Sequence, residues 1–225
     1  FTPEKGEGYI TLTTHNNSAD RINHNRLAAL RAQEYRFKAE VSGEFPEHTY
    51  PTPGRLVLKV GAQVMFLRND TSIEKRYYNG KIGKIKTISG RHICITCPGE
   101  SEDIVVEAVE WENIKYKVDE ENKEIQEDII GKFKQFPLKL AWAITIHKSQ
   151  GLTFDKAVID AESAFAHGQV YVALSRCKTF EGMVLSSPIP SRGIKTDEAV
   201  LNFVEKARQN LPSENRLQAA KVLYQ

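Results

Sequence analysis

The sequence predicts an α/β layer domain interrupted by a small all-β barrel. Residues 140–146 (LAWAITI) form a near-continuous apolar run, the pattern of a strand buried on both faces. Between about 56 and 136, Val57, Val64, Phe66, Ile82, Ile85 and Ile88 alternate with polar residues. Turn signals at Gly61, Asn79-Gly80, Ser89-Gly90, Pro98-Gly99 and Glu121-Asn122 recur there at roughly ten-residue spacing, which suggests a barrel. Strand and helix patterns return after 137. The α/β part is therefore discontinuous, at 9–55 and 137–225, around a barrel insertion at 56–136.

The elements follow in order. Residues 1–8 (FTPEKGEG) are polar and hold Pro and Gly, so they read as a linker. Tyr9–Thr14 is β-branched and short, a strand. Asn16 or Asn17 can cap a helix running to about Tyr35, with Ala19, Ile22, Ala29 and Leu30 as its imperfect apolar face. Pro-broken 45–54 is a loop. Asn79-Gly80 is the strongest hairpin signal of the β-rich segment. After the apolar run comes a polar loop, His147 to Thr153, then a short strand at Ala157–Asp160. Val170, Ala173, Leu174 and Cys177 fall at i, i+3, i+4, i+7, one helix face. Met183–Leu185 is a further strand. Thr196 caps a last helix whose face is Val200, Phe203, Val204 and Ala207. The tail after Pro212 reads as a short helix or a frayed end.

Composition bounds the function. At 225 residues, 40% hydrophobic and 27% charged, the chain can bury a core without disulfides or metals. A net charge of +2 excludes a polyanion or polycation but can hide local basic patches. No apolar run approaches the ~18 residues of a membrane span, so no membrane partner is expected. No signal-peptide pattern is visible, and a cytoplasmic, intracellular setting is expected. The chain opens on Phe1 rather than Met and is read as a piece of a longer protein. Three cysteines, Cys94, Cys97 and Cys177, suggest a reducing compartment. Cys94 and Cys97 have metal-ligand spacing but no second ligand pair, and an offset of three on a strand puts them on opposite faces. No metal site is expected.

Three stretches could carry chemistry. In the first, LAWAITIHKSQGLT at 140–153, a buried strand delivers its carboxyl end to a loop, where open α/β sheets bind ligands. Thr145, His147, Lys148, Ser149 and Gln150 are phosphate-competent donors there, and Gly151 permits a tight turn. From Gly131 to Gln150 there are four lysines and no acidic residue, a field suited to a polyanion. A capped loop with solvated lysines fits equally. In the second stretch, GQVYVALSR at 168–176, Arg176 near a helix end can stabilise charge on a transferring phosphoryl group, or can simply complement the helix dipole. In the third, KRYYNGKIGKIK at 75–86, Tyr77 and Tyr78 could stack bases while cations meet phosphates. Edge lysines that block aggregation explain it as well. Two absences weigh as much. Nothing matches G-x-x-x-x-G-K-[ST], and Val118-Asp119-Glu120-Glu121 reads as a hairpin turn rather than a magnesium-binding acid pair. The chain cannot hold the β- and γ-phosphates of a nucleotide unaided.

These residues resemble superfamily 1B DNA helicases. LAWAITIHKSQGLTFD at 140–155 resembles their motif V, GQVYVALSR at 168–176 their motif VI, and TTHNNSADRIN at 13–23 their motif IV. LKVGAQVMFLRND at 58–70 with NGKIG at 79–83 resembles the entry to their SH3-like insertion. The petite-integration-frequency branch is nearest, RecD-type enzymes next. The resemblance implies the second of two RecA-like domains, with the P-loop half missing and an SH3-like barrel inserted. It implies an ATP-dependent DNA helicase of five-prime to three-prime polarity, inactive without its first half. ATP and Mg2+ would be held mainly by that N-terminal RecA-like domain of the same protein. Arg176 would be the arginine finger, with Gln150, Gly151 and Gln169 at the nucleotide cleft. Thr145, His147, Lys148 and Ser149, with Thr13, Thr14, His15 and Asn16, would meet single-stranded DNA, and Tyr77 and Tyr78 would add stacking. Two other readings stand beside it: a stand-alone single-stranded nucleic-acid binder without ATPase activity, and an α/β scaffold for protein contacts.

Overall fold

The computed structural model describes residues 8–118, 125–161, 164, 168–189, 191, 194 and 197–211. The chain opens with β1 (Ile10–Thr13), α1 (Asn16–Ala29), β2 (Glu34–Lys38), β3 (Glu40–Gly43) and β4 (Arg55–Lys59). Then come β5 (Gln63–Phe66), β6 (Ile82–Ile88), β7 (His92–Thr96), β8 (Ile104–Glu107), β9 (Val109–Val118) and β10 (Ile125–Gln135). It closes with β11 (Leu138–Leu140), β12 (Ala143–Thr145), β13 (Ala157–Ile159), α2 (Gln169–Leu174), β14 (Met183–Leu185) and α3 (Glu198–Gln209).

Four strands form a parallel sheet in the order β12-β1-β13-β14. Its core holds Ile10, Leu12, Ile144, Ile146, Ala157 and Ile159, with Val170 and Ala173 from α2. Such short parallel strands must be apolar on both faces to be covered. The remaining strands are antiparallel. Five run β11-β5-β6-β7-β8, three run β3-β10-β9, and β2 pairs with β4. A second core, with Leu58, Val64, Phe66, Ile85, Ile95, Ile104 and Leu138 among its members, lies under them. Parallel and antiparallel sheets with helices make an α/β, RecA-like fold.

The apolar run 140–146 is not one strand. Leu138 and Leu140 serve the antiparallel core, whereas Ala141, Ile144 and Ile146 serve the parallel one. The run is continuous because it feeds two cores in succession, and β11 gives way to β12 at Ala141-Trp142. Helix α1 stops at Ala29, not near Tyr35. Tyr35 and Phe37 alternate with exposed neighbours and belong to β2, so a period of two overrides the helical reading. His15, not Asn16 or Asn17, occupies the α1 cap position, with an extended backbone and no side-chain cap bond. Antiparallel pairing also reaches outside 56–136, through β2, β3 and β11.

Asn79-Gly80 is a turn but not a hairpin connection. It closes the long loop between β5 and β6, with Gly80 at φ +97 and its N–H donating to Phe66 O. The turn at Ser89-Gly90 does join β6 to β7. Helix α2 ends before Cys177, which instead bridges to Phe154. Asp197 caps α3 by accepting the Ala199 N–H at 2.8 Å. No α3 residue is buried, and Val200 and Phe203 of its apolar face stand 56% and 71% exposed. Thr196, the linker residues 1–7, the turn at Glu121-Asn122 and the tail from Pro212 lie outside the described residues.

Candidate functional site

The carboxyl ends of β1 and β12 lie side by side, Thr13 opposite Thr145. Each feeds a polar loop, and the Ile146 N–H donates to Thr13 O at 2.8 Å across them. Residues 13–16 and 145–151, far apart in sequence, thus share the sheet edge where parallel strands bind ligands.

Within this edge the side chains divide by exposure. Thr13, Thr14, Thr145 and Ser149 are buried. The Thr13 hydroxyl donates to His15 O at 3.1 Å, and Thr14 Oγ1 lies 2.7 Å from His15 Nδ1. Thr145 Oγ1 accepts the Lys148 N–H at 3.4 Å. Ser149 is fully buried and its hydroxyl donates to Ile146 O at 2.6 Å, bracing the 3-10 turn His147–Ser149. Ser149, expected at the strand contact, thus has its hydroxyl donated inside the fold. His15, Asn16, His147, Lys148, Gln150 and Gly151 are exposed at the same edge. Gly151 sits at φ +78 with open space where a Cβ would be, so it is the backbone torsion that asks for glycine.

The edge strand β12 has a partner the sequence did not suggest. Asn23 of α1 donates to Ala143 O at 2.8 Å and accepts the Ala143 N–H at 2.9 Å. The amide acts as a short surrogate strand and fixes helix to strand. An Asn on a weakly amphipathic helix carries no signal that reveals this.

Arg176 lies just beyond α2, partly buried, and turns back onto the 147–153 loop. Its NH1 donates to Leu152 O at 3.1 Å, Nε to Val172 O at 3.1 Å and NH2 to Ser175 Oγ at 2.9 Å. Its carbonyl accepts the Phe154 N–H at 2.8 Å. The two sequence stretches that suggested chemistry are therefore stitched together, and the guanidinium is held rather than waving in solvent. Gln169 opens α2 after Gly168, which is at φ +70, and is 4% exposed.

Tyr77 and Tyr78 do not act as a pair. The Tyr77 ring stacks on Phe66, centroids 4.4 Å apart and planes 20° off, and its burial pushes the phenol pKa up. Tyr78 stands 58% exposed. The basic run 75–86 is also largely neutralised. Arg76 meets Glu102 at 3.4 Å, Lys86 meets Asp103 at 2.6 Å, and Lys81 pairs with Glu100. The acids come from a loop twenty residues onward, invisible to a local charge count. Likewise Lys132 meets Glu110 at 2.8 Å and Lys134 meets Glu40 at 3.8 Å. Of the four lysines in 131–150, Lys139 and Lys148 have no carboxylate partner among the described residues. Burial first, then the Lys148 charge, lowers the Lys139 pKa to about 8.

A cleft of about 850 Å³ opens at the opposite, amino end of the parallel strands, lined by Gly8, Tyr78, Lys84, Cys97 and Lys156. Burial raises the Cys97 thiol to about 11, which leaves it a poor nucleophile. No group of three or more His, Cys, Asp or Glu side chains converges to hold a metal among the described residues. No described helix is long and apolar enough to cross a membrane.

Residues 140–179 match the UvrD-like helicase C-terminal domain family. The chain is 32% identical over 194 residues to the ATP-dependent DNA helicase Pif1 of Bdellovibrio bacteriovorus, covering 84% of this chain and 41% of that protein. The crystal structure of Bacteroides sp Pif1 in complex with ADP-AlF4 superposes with a TM-score of 0.81 at 38% identity, over 91% of this chain and 46% of that one. Bacteroides Pif1 bound to ssDNA superposes with a TM-score of 0.72 at 37% identity, over 93% and 47%. The chain thus spans less than half the length of these relatives. With its motif-bearing edge, its fold and these matches in agreement, the chain belongs to the Pif1-like branch of superfamily 1B and corresponds to the C-terminal portion of those helicases.

Proposed function

We propose that this chain is the second half of an ATP-dependent DNA helicase motor, its RecA-like part carrying an SH3-like insertion at 56–136. The observation that carries the reading is the meeting of two exposed loops, His15-Asn16 and His147-Lys148, on one sheet edge to which Arg176 is tied through Leu152. In this reading His15, Asn16, His147 and Lys148 contact the backbone of single-stranded DNA. Thr13, Thr14 and Thr145 shape the loops that present them. Such contacts position a strand and carry no sequence information. Solved structures of Bacteroides Pif1, one bound to ssDNA and one in complex with ADP-AlF4, support both ligand classes.

The nucleotide is assigned to the cleft between this chain and an N-terminal RecA-like half of the same protein, with Mg2+ on that half. ATP supplies the phosphoryl group whose transfer drives the motor. Arg176 fits such a role. A guanidinium has five N–H donors, and the three bonds to Val172, Leu152 and Ser175 leave donors for a phosphoryl oxygen. These same bonds preorganise it, so little side-chain freedom is lost when charge develops. Gln150, Gly151 and Gln169 line the approach.

The test is anisotropy of a fluorescein-labelled oligothymidylate titrated with this chain, alongside ATPase activity. Expected is binding that weakens steeply between ~50 mM and ~200 mM salt, with no ATP turnover. Turnover by the chain alone would overturn the reading, since the residues that hold a nucleotide's phosphates are not in the sequence. Salt-insensitive or absent binding would favour a scaffold.

A further inference from the structure

We propose that Asn23 is a positioning residue of the strand site: its carboxamide pins α1 to one residue of β12 and so sets the loop at His15-Asn16 against the loop at His147-Lys148. This rests on the proposed single-stranded DNA reading and adds to that site a residue that itself touches no ligand.

Ala19, Asn23 and Leu27 share one face of α1, at i, i+4 and i+8. Ala19 and Leu27 are the buried residues of the helix, and Leu27 packs into the antiparallel core. Asn23 thus stands in the middle of a stripe where an apolar side chain is the ordinary choice. Its two hydrogen bonds explain the exception. β12 is the edge strand of the parallel sheet, and Trp142 O accepts the Thr11 N–H of β1. Ala143, one residue on, therefore turns its N–H and C=O away from β1. Asn23 meets both, accepting the N–H at 2.9 Å and donating to the C=O at 2.8 Å.

An apolar contact is non-directional and lets a helix slide or roll on its neighbour. A carboxamide bonded to both groups of one residue does not, because the bonds keep their lengths and angles in one register alone. A polar residue set among apolar contacts can fix register in this way, at a cost in stability. The register matters at the ligand edge. α1 begins at Asn16, and Asn23 lies about 10 Å further along the helix axis. β12 ends at Thr145, two residues before His147. The two loops are joined at their roots by the pairing of β1 with β12, and Asn23 holds the far end of the helix that carries one of them. With only Ala19 and Leu27 buried, α1 has a thin apolar footing against tilting about its start. A tilt redirects the His15 and Asn16 side chains relative to Lys148, and hydrogen bonds weaken steeply once their angle is lost.

The test measures oligothymidylate affinity of the full chain for wild type, Asn23→Ala, the loop variant His15→Ala/Asn16→Ala, Lys148→Gln, and Asn23→Ala combined with each of the last two. Samples are those whose far-UV circular dichroism matches wild type. Expected is a loss of about tenfold in Asn23→Ala, the worth of one hydrogen bond to a charged phosphate. Adding Asn23→Ala to the loop variant costs nothing further, whereas adding it to Lys148→Gln multiplies the two losses. A general loosening of the fold multiplies with both, and that outcome overturns the proposal. So does wild-type affinity in Asn23→Ala, which leaves the strand-binding reading standing. No binding by wild type overturns both. Should Asn23→Ala fail to fold, Asn23→Asp, which keeps the acceptor for the Ala143 N–H, carries the same comparison. Its loss should vanish in the loop variant, and a loss that persists there, or no loss at all, overturns the proposal.

Discussion

Lys139 gives stability an unusual pH dependence. Its folded-state pKa, about 8, lies below the ordinary 10.5. Below the lower value both folded and unfolded chains carry the proton, and the fold bears the cost of a crowded charge. Between the two values the unfolded chain keeps a proton that the folded chain has released, so stability rises with pH across that window. Lys139→Met should therefore be more stable than wild type near pH 7, with its advantage shrinking by about pH 10. Urea unfolding at both pH values measures this, and a constant gap would contradict it. Residue roles were unevenly legible in the sequence. That Arg176 lies near a helix end and Lys148 on an exposed loop was readable from the local pattern. The hydroxyls were not. Thr145 and Ser149 read as donors to a ligand, and the resemblance added Thr13; in the fold the Thr13 and Ser149 hydroxyls donate to loop carbonyls and Thr145 Oγ1 accepts the Lys148 N–H. A hydroxyl's partner depends on burial, which local sequence does not report.

At the scale of elements, α1 and β12 depend on one amide. Asn23→Ala removes both bonds to Ala143 and leaves that residue's N–H and C=O without this partner. It should destabilise the fold by about 2 kcal/mol, as unmet backbone groups do. Asn23→Asp keeps the acceptor and should lose less. Chemical denaturation of the variants decides, and a negligible loss in Asn23→Ala would mean that water replaces the amide at no cost. Strands with strong β-branched patterns were readable one by one. Their partners were not: β11 looks continuous with β12 in sequence, yet pairs antiparallel with β5. The charge of 75–86 failed for the same reason, since its acids arrive from 100–103 across the sheet. Pairing is a tertiary fact, and pattern along the chain gives only the faces.

For the whole molecule, the α/β class and the antiparallel segment within it were visible from the change in periodicity. The split of the antiparallel strands into three sheets was not. The motor reading makes its own demand. In the full-length protein, Arg176→Ala should lower ATP turnover by roughly 10³ while largely sparing DNA affinity. Steady-state ATPase with a parallel binding titration measures both, and near-normal turnover would remove Arg176 from that role. The path from β11 to β12 has a mechanical side. Only Ala141 and Trp142 separate them. That is at most ~7 Å of extended chain. The amide of Gln63, at the head of β5, donates to Ala141 O at 2.8 Å and to Tyr9 O at 3.1 Å, clasping this joint to the start of β1. Force on the antiparallel sheet thus has almost no slack to take up before it tugs β12, the strand that leads into the His147–Ser149 turn. Tension on one sheet thus reaches the other through a cord two residues long.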